Sequence, residues 1–223
     1  MHTESVQDYL KTIYELQHEQ GRVATTVLAD RLGVAPASVT GMIKKLASMH
    51  LVTHEPYQGV TLTEAGEKIA LEVIRHHRLI ERYLAEALGV PWDRVHEEAE
   101  KWEHVLSEDM EDRIDAVLGY PLTDPHGAPI PSRNGTIAPS ATARLAELQP
   151  GQSAVIAEVS DHDSALLRYL GSLGLYPGVE VLVVDVAPFG GPLTIRLGTD
   201  EHALGREVAG YILVRELPGK PGE

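Results

Sequence analysis

The sequence contains no cysteine among its 223 residues. Disulfides, thiol nucleophiles, iron–sulfur clusters and zinc sites built on thiolates are therefore excluded together. No apolar run approaches the roughly 20 residues of a membrane-spanning helix, and the polar, periodic N-terminal stretch lacks the apolar block of a signal peptide. These absences predict a protein of the reducing cytoplasm that does not bind membranes.

Positive charge is also scarce, since 19 basic side chains face 33 acidic ones and the formal net charge is −14. Such a balance argues against a nucleic-acid coat or a membrane-surface module. The acid is concentrated in residues 76–135, which hold 13 acidic and 6 basic side chains. Five of the eleven histidines lie there too: His76, His77, His96, His104 and His126. Carboxylates mixed with imidazoles favour a divalent cation site, with a solvated acidic face as the alternative.

The pattern of residues 1–75 predicts a winged helix-turn-helix domain. A first helix ends near Gly21, a short second helix stops at Gly33, and a third begins at Pro36. Two β-rich runs around a Pro/Gly turn then form a hairpin. This order is typical of DNA-binding domains, and a three-helix packing module with a solvated lysine pair is the alternative.

The outer face of the third helix carries the side chains expected at DNA. Small and hydroxylated residues allow close approach to a groove, and lysines suit phosphate contacts. The candidate DNA-binding residues are Thr26, Ala35, Pro36, Ala37, Ser38, Thr40, Gly41, Lys44, Lys45 and, in the hairpin turn, Tyr57.

The rest of the chain predicts two further domains. Residues 76–140 combine helices that carry long apolar stripes, which indicate a homodimer interface, with a proline-rich linker over 120–140. Residues 141–223 contain short β-type runs and one short helix, which predict a small β-barrel. The expected fold class is α+β, with an N-terminal winged helix-turn-helix (1–75), a helical metal-binding and dimerisation domain (76–140) and a C-terminal SH3-like barrel (141–223).

The middle segment places metal-ligand side chains at helical spacing. His77 and Glu81 are four residues apart and share one helix face. On the next predicted helix, ligand types lie along one side beside the apolar stripe, at His96, Glu100, Glu103 and His104. Because unpaired carboxylates are costly to bury, a divalent ion would satisfy them. A set of oxygen and nitrogen donors suits Mn²⁺ or Fe²⁺ and could accept Zn²⁺ or Co²⁺.

Each of these residues also has a structural explanation that needs no metal. His77 could be a satisfied core histidine, and Glu81 could pair with a neighbouring arginine. Asp8 fits a capping box that begins at Ser5, which would explain this carboxylate without a metal. The chain has no metalloprotease, serine-hydrolase, Walker A or dinucleotide-binding motif. A metal-dependent hydrolase therefore has no marked base, and a non-enzymatic role is expected.

Several longer motifs resemble the diphtheria-toxin-repressor (DtxR) family of metal-dependent transcriptional repressors, in particular its manganese-responsive MntR branch. The resemblance covers almost the whole chain. Its most specific parts are Arg75-His76-His77-Arg78-Leu79, the run from Val95 to Val105, Pro125-His126-Gly127-Ala128-Pro129, and Leu170 to Gly178, the last of which is similar to an FeoA-like SH3 domain.

The resemblance implies two metal sites. The main site would comprise Asp8, His77, Glu100, Glu103 and His104, and the second would draw on His77 or Glu81, His96 and Glu103. Asp161, His162 and Asp163 fall where the barrel of iron-type members supplies ligands, and an acidic loop is the alternative. Iron-type members have methionine and cysteine at the positions of Asp8 and Glu100, so the carboxylates here imply manganese. Lys11 stands where manganese-type members can have a carboxylate ligand, which argues against a two-manganese cluster.

The function that the resemblance implies is a homodimeric repressor that binds double-stranded operator DNA when Mn²⁺ is bound. A metal that joins Asp8 to the helical domain would set the spacing of the two recognition helices. The expected targets are metal-uptake genes. The alternatives are an iron-responsive repressor of the same family, a metal-dependent hydrolase, and a winged-helix interaction protein without metal.

Overall fold

The computed structural model describes residues 3–55, 58–139 and 143–217. The chain divides into two compact units, and the predicted α+β class is confirmed. The first unit comprises Met1–His77, Trp102–Ser107 and Pro131–Thr136. The second comprises Arg78–Lys101, Glu108–Ile130 and Ile137–Glu223.

The first unit has the predicted helix-turn-helix and hairpin. Its elements are α1 (Glu4–Gln20), α2 (Thr25–Leu32), α3 (Pro36–Ser48), β1 (Val52–Glu55) and β2 (Gly59–Leu62), with β1 and β2 antiparallel. Glycines with positive φ follow the first two helices, Gly21 at 80° and Gly33 at 63°. Both helices therefore end where a left-handed backbone angle is inexpensive.

The core of the first unit lies between these helices and the hairpin. Leu10, Ile13 and Leu28 meet Ile43 and Leu46 there, and all five are almost fully buried. Gly66, in the first turn of the following helix, approaches this layer so closely that a Cβ would lie 2.0 Å from the carbonyl oxygen of Leu51. The helix can start this close to Leu51, the residue before β1, only because position 66 has no side chain.

Three helices carry the middle of the sequence: α4 (Glu64–Leu88), α5 (Val95–Trp102) and α6 (Glu108–Val117). The sequence predicted that α5 includes Glu103 and His104, but the structure ends this helix at Trp102. A turn follows in which the Val105 amide donates to the Trp102 carbonyl. None of the described helices is both long and apolar enough to cross a membrane.

The second unit contains a six-stranded antiparallel sheet with the order β3-β8-β4-β5-β6-β7. The strands are β3 (Ala143–Arg144), β4 (Ser153–Val159), β5 (Glu180–Val186), β6 (Leu193–Leu197), β7 (Asp200–Leu204) and β8 (Ile212–Glu216). The helices α7 (Ser164–Ser172) and α8 (Arg206–Gly210) complete it. The sequence did not predict β7 or α8, because β7 is polar and exposed and α8 has only five residues.

Residues 120–130 of the proline-rich segment have no helix or long strand but are held in place within the second unit. An isolated bridge joins Thr123 to Pro129. Between them, Asp124 Oδ1 accepts from the backbone amides of His126 (2.8 Å) and Ala128 (3.0 Å). The segment is therefore an ordered turn that is built around a buried carboxylate.

Candidate metal centres and DNA-binding face

The first unit brings together a carboxylate from α1 and two residues from the turn after α5. The His104 Nε2 lies 2.9 Å from Asp8 Oδ1 and 3.4 Å from Glu103 Oε1. Glu103 is 1% exposed, and the side chain of His104 is 8% exposed. Consecutive residues of an α-helix point about 100° apart, so the turn is what lets both side chains face the same group.

Lys11 lies on the inner side of this group, one helical turn from Asp8. Its ammonium donates to both Glu103 oxygens, at 3.0 and 2.8 Å, and contacts His77 Nδ1 at 3.1 Å. The same nitrogen of His77 contacts Glu103 Oε2. Burial would raise the pKa of Glu103, but His77 and Lys11 outweigh it and lower the pKa. Glu103 is thus held as a carboxylate at neutral pH.

Two further contacts orient these ligand candidates. The Gln7 side-chain oxygen lies 3.0 Å from His104 Nδ1, so the other ring nitrogen of His104 is left for Asp8 or a cation. His76 Nδ1 lies 3.1 Å from the Glu103 carbonyl oxygen. Such supporting hydrogen bonds fix the orientation of metal-ligating side chains in known sites.

The capping-box interpretation of Asp8 is wrong. The helix begins at Glu4 with Thr3 as its N-cap residue, so Ser5 is already inside it. Asp8 occupies a second-turn position, where its carboxylate is not needed for capping. Its contact with His104 is therefore not part of a helix cap.

The second unit brings together a second set, from α4, α5 and the loop after β4. His96 Nδ1 lies 3.4 Å from Glu81 Oε1 and 3.3 Å from Asp161 Oδ2. Glu81 is fully buried. One nitrogen or oxygen atom from each residue lies within 4.8 Å of the others, a spacing that fits the coordination of a single ion. These donors suit Mn²⁺, Fe²⁺, Co²⁺ or Zn²⁺.

The charge balance of this second set depends on the protonation of His96. Burial would lower the pKa of His96, but the adjacent Asp161 and Glu81 raise it to about 10. Burial likewise opposes ionisation of Asp161, but His96 outweighs it and lowers the pKa of that carboxyl. Without a metal, a proton on His96 balances the buried carboxylates.

The remaining predicted ligands are placed differently. Glu100 lies one turn after His96 on α5, with 3.9 Å between Glu100 Oε1 and His96 Nε2, and its side chain is 44% exposed. His162 Nδ1 lies 3.6 Å from Asp161 Oδ1, with a side chain that is 54% exposed. Asp163 is the N-cap residue of α7 and accepts from the amides of Ala165 and Leu166. This capping role accounts for the Asp163 carboxylate without a metal.

The candidate DNA-binding residues form an exposed face on α2 and α3. Those within the described part of the chain are all exposed: Thr26, Ala35, Pro36, Ala37, Ser38, Thr40, Gly41, Lys44 and Lys45. Val39 and Ile43 lie on the opposite, buried face of α3. A Cβ at Gly41 would meet nothing within 4 Å, so that side of the helix is open. Tyr57 lies outside the described residues.

Comparison with known proteins follows the same division of the chain. Residues 1–60 match the family of iron-dependent repressor N-terminal DNA-binding domains, and residues 63–132 match the iron-dependent repressor metal-binding and dimerisation domain. Residues 143–216 match the FeoA domain. The iron-dependent repressor IdeR of Mycobacterium tuberculosis is 34% identical over 221 residues, which cover 94% of this chain and 96% of that protein.

The chain belongs to the DtxR family of metal-dependent transcriptional repressors. IdeR of Mycobacterium leprae is 33% identical over the same shares of both chains. A solved manganese-dependent transcriptional repressor in complex with manganese is 38% identical, with a TM-score of 0.89, over 95% of this chain and all of that one. ScaR with bound Cd²⁺ is 32% identical, with a TM-score of 0.82, over 95% and 99%. The family is one of repressors, and these matches give no support to the hydrolase alternative.

Sequence reasoning missed some residues that the structure places beside the candidate ligands. Lys11 was noted only as a departure from a motif, and its ion pair with Glu103 spans 92 positions of sequence. Gln7 carries no chemical signal of its own. Asp124 and His126 lie within 4.8 Å of Glu81 by one ligand atom each, although sequence spacing puts them 43 residues or more away. The mixture of acid and histidine in residues 76–135 and the motif from Pro125 to Pro129 pointed to that region, but neither gave a role to Asp124 or His126.

Proposed function

We propose that this family member is a Mn²⁺-activated repressor that binds operator DNA of metal-uptake genes as a homodimer. The proposed metal ligands are Asp8, Glu103 and His104 in the first unit, with Glu81, His96 and Asp161 as a second set. The exposed face of α2 and α3 is the proposed DNA contact. The domain boundaries at 75 and 140 are part of the same proposal.

The observation that carries this function is the contact of Asp8 with His104. Asp8 lies on α1, within the residues matched by the DNA-binding family, whereas Glu103 and His104 fall within the metal-binding and dimerisation match. An ion held by all three would bind more tightly when α1 and the turn after α5 adopt this arrangement. Metal binding would therefore shift the population toward it.

The chemistry of the donors supports manganese over iron. Asp8 and Glu103 provide hard carboxylate oxygens, and the chain has no cysteine that could supply a soft ligand. Carboxylate oxygens suit Mn²⁺, whereas sulfur ligands shift the preference toward softer ions. The solved relatives include a manganese-dependent repressor, which agrees with this choice.

Lys11 supports a single ion in the first unit. Its ammonium already lies between Glu103 and His77, where it neutralises one charge of the group. A second cation beside it would face a fixed positive charge at short range, which is unfavourable in a buried site. We therefore propose one Mn²⁺ in the first unit rather than a two-metal cluster.

The homodimer is supported by apolar side chains that the second unit leaves exposed. These are Leu88 (54% exposed), Met110 (48%), Val117 (73%), Tyr120 (69%) and Leu122 (82%). Exposed apolar residues in such number mark an interaction surface. A second copy is the proposed partner because the matched family model is a dimerisation domain.

The test begins by selecting duplexes from a random DNA library with the full chain in saturating Mn²⁺. Fluorescence anisotropy of the selected duplex is then measured with Mn²⁺, with anaerobic Fe²⁺, with Zn²⁺ and with chelator. Asp8→Asn is expected to weaken Mn²⁺-stimulated DNA binding by roughly the 10- to 100-fold that disturbed metal sites lose, or more. Asp200→Asn, which removes an exposed carboxylate on β7, serves as the matched control.

Equal DNA affinity with Mn²⁺ and with chelator would contradict the function itself. Strong stimulation by Fe²⁺ together with a weak response to Mn²⁺ would instead support the iron-responsive alternative. An unchanged response in Asp8→Asn would leave a metal-dependent repressor but remove Asp8 from its site.

A further inference from the structure

Trp92, which lies between α4 and α5, packs against the core of the FeoA domain. The buried members of that core, from Leu145 to Val214, all lie within the residues matched by the FeoA family. Trp92 falls instead within the metal-binding and dimerisation match. Within the described part of the chain, it is the one member of this apolar cluster that precedes residue 143. The segment between α4 and α5 therefore contributes an aromatic side chain to a core that the FeoA domain otherwise builds by itself.

The indole contacts two residues at the end of α7 and just after it. Its ring centroid lies 4.7 Å from that of Tyr176, with 49° between the ring planes, and aromatic rings at this distance attract each other. Gly171 leaves the space for this contact. A Cβ at Gly171 would lie 3.2 Å from Trp92 Nε1 and 2.8 Å from Tyr176 Oη, so a side chain fits there only if one of the rings moves.

Hydrogen bonds fix the backbone that carries the indole. The Trp92 carbonyl accepts from His126 Nε2 at 2.8 Å, and the centroids of the two rings lie 5.7 Å apart. The His126 carbonyl accepts from the Val159 amide on β4 at 2.9 Å. All of these contacts are made by the chain alone, so they form whether or not a metal is bound.

Three contacts join residues 161–171 to the segment 92–96, and they follow in opposite order along the chain. Before α7, Asp161 Oδ2 lies 3.3 Å from His96 Nδ1. Within α7, a guanidinium nitrogen of Arg168 lies 3.1 Å from Asp93 Oδ2. The end of α7 meets the indole. A shift of α7 along the segment would break all three contacts, so together they define one position for Asp161.

The aromatic contact supplies most of the docking energy. The side chain of Arg168 is 58% exposed, and an ion pair this exposed contributes little. The contact between His96 and Asp161 is the one that a metal ion would replace. Trp92 instead places a large apolar ring against a closed core, and aromatic side chains dominate the energetics of cores and interfaces.

We propose that Trp92 is a positioning residue of the second metal set, which docks the FeoA domain before any metal binds and so keeps Asp161 opposite His96. The inference rests on the proposed function for the role of Glu81, His96 and Asp161 as metal ligands. The docking itself needs neither metal nor DNA. Ligands that are held in place beforehand bind an ion more tightly, because less conformational freedom is lost when the ion enters.

The first test measures the docking through indole fluorescence. The chain has two tryptophans, so Trp102→Phe leaves Trp92 as its one indole. In chelator, we expect emission at the short wavelength of an indole shielded from water, and saturating Mn²⁺ should leave that wavelength unchanged. Gly171→Ala in the same background should shift the emission to longer wavelength, because the added methyl displaces the indole while alanine favours the helix. An indole that is exposed to water in chelator and shielded only after Mn²⁺ is added would overturn the proposal, since the metal would then dock the domain.

The second test measures what the docking does for metal binding. Isothermal titration with Mn²⁺ uses an Asp8→Asn parent, in which the first unit's set is disabled. Trp92→Ala is expected to weaken Mn²⁺ affinity about 10-fold or more, as the loss of supporting contacts does in known sites. Trp92→Phe keeps an aromatic ring against Tyr176 and should restore most of that affinity. Tyr169→Ala, which removes an aromatic ring of α7 that is 42% exposed, should match the parent.

Equal Mn²⁺ affinity in the parent and in Trp92→Ala would also overturn the proposal. Gly171→Ala makes the same comparison without the loss of a large side chain, so the test does not depend on the folding of Trp92→Ala. An absence of Mn²⁺ binding in the parent would contradict the second metal set of the proposed function. The fluorescence in chelator would still decide whether Trp92 docks the domain, so the two failures are distinguishable.

Discussion

Both units bury carboxylates that need a nearby positive charge, and the two units supply that charge in different ways. In the first unit, buried Glu103 receives the ammonium of Lys11, a cation that is covalently part of the chain. In the second unit, Glu81 and Asp161 face His96, whose positive charge depends on a proton. A lysine cannot leave its group, whereas a proton is displaced when a metal binds. The positive charge of Lys11 in the first unit is therefore fixed, whereas the proton on His96 in the second unit can be exchanged for a metal ion.

The largest expected effect follows from replacing Glu103, the carboxylate that pairs with Lys11. Glu103→Gln keeps the shape of the side chain but leaves Lys11, with a side chain only 10% exposed, without its carboxylate. Breaking a buried pair in this way costs about 3–5 kcal/mol. We expect that loss in urea denaturation of the metal-free protein, together with loss of Mn²⁺-stimulated DNA binding.

The control for this variant is Glu98→Gln, which breaks the exposed pair with Lys101. An exposed pair contributes no more than about 1 kcal/mol. Similar unfolding free energies for the two variants would show that Lys11 and Glu103 do not form a tightly coupled pair.

The second prediction concerns the exchangeable charge. Burial would lower the pKa of His96, but Asp161 and Glu81 outweigh it and raise that pKa to about 10. The imidazole must lose a proton to bind a metal, so Mn²⁺ affinity of the second unit should rise with pH between 6 and 8.5. One displaced proton would give up to about 10-fold per pH unit.

The measurement is calorimetry in buffers of different ionisation enthalpy, on an Asp8→Asn background that disables the first unit's set. A binding constant that does not change with pH would show that metal binding displaces no proton from His96. The metal-free fold should behave oppositely. Because the folded pKa of His96 lies above its ordinary value of 6.5, its contribution to stability is complete below that pH and is lost as the pH rises towards 10.

A smaller effect is expected from replacing Lys11 with an uncharged residue. Lys11→Met should raise the affinity of Asp8, Glu103 and His104 for Mn²⁺ by at least about 10-fold, because a like charge at short range is removed. It should also let one more ion bind per chain. Isothermal titration checks both, with Lys101→Met, an exposed lysine, as control. Unchanged affinity and ion count would show that Lys11 does not limit the site.

The smallest predicted effect lies at the DNA. Lys45 is exposed on α3, and a phosphate contact there releases about one counterion. Lys45→Ala should therefore weaken binding to all duplexes alike and reduce the slope of log affinity against log salt by about one per chain. Lys68→Ala, an exposed lysine on α4, should leave the slope unchanged. Equal slopes for both variants would remove Lys45 from the contact.

Much of the fold could be predicted from the sequence because its signals are local. Gly33 and Pro36 mark the turn between α2 and α3, and the apolar run from Ala154 to Ala157 marks β4. The end of α5 could not be predicted, since Glu103 and His104 continue the helical spacing although they lie in a turn. Their positions are set by contacts with α1 and α4 rather than by the residues beside them.

The candidate ligands were predictable by type, but their grouping was not. Asp161 could be named only from a loose resemblance, and the structure places it against His96. Asp163, two residues later, has the same chemistry but caps α7. The start of a helix at Ser164 marks Asp163 as an N-cap residue. No sequence pattern places Asp161 against His96, because that contact arises from where the loop after β4 meets α5.

The hydrogen bond from the Val159 amide to the His126 carbonyl also has a kinetic consequence. This amide proton can exchange with deuterated solvent only when the turn lifts away from β4. Its exchange rate therefore reports how often that turn opens, and it is measured at one backbone position without a chemical label. Faster exchange at Val159 than at the other hydrogen-bonded amides of β4 would show that this turn opens independently of the sheet.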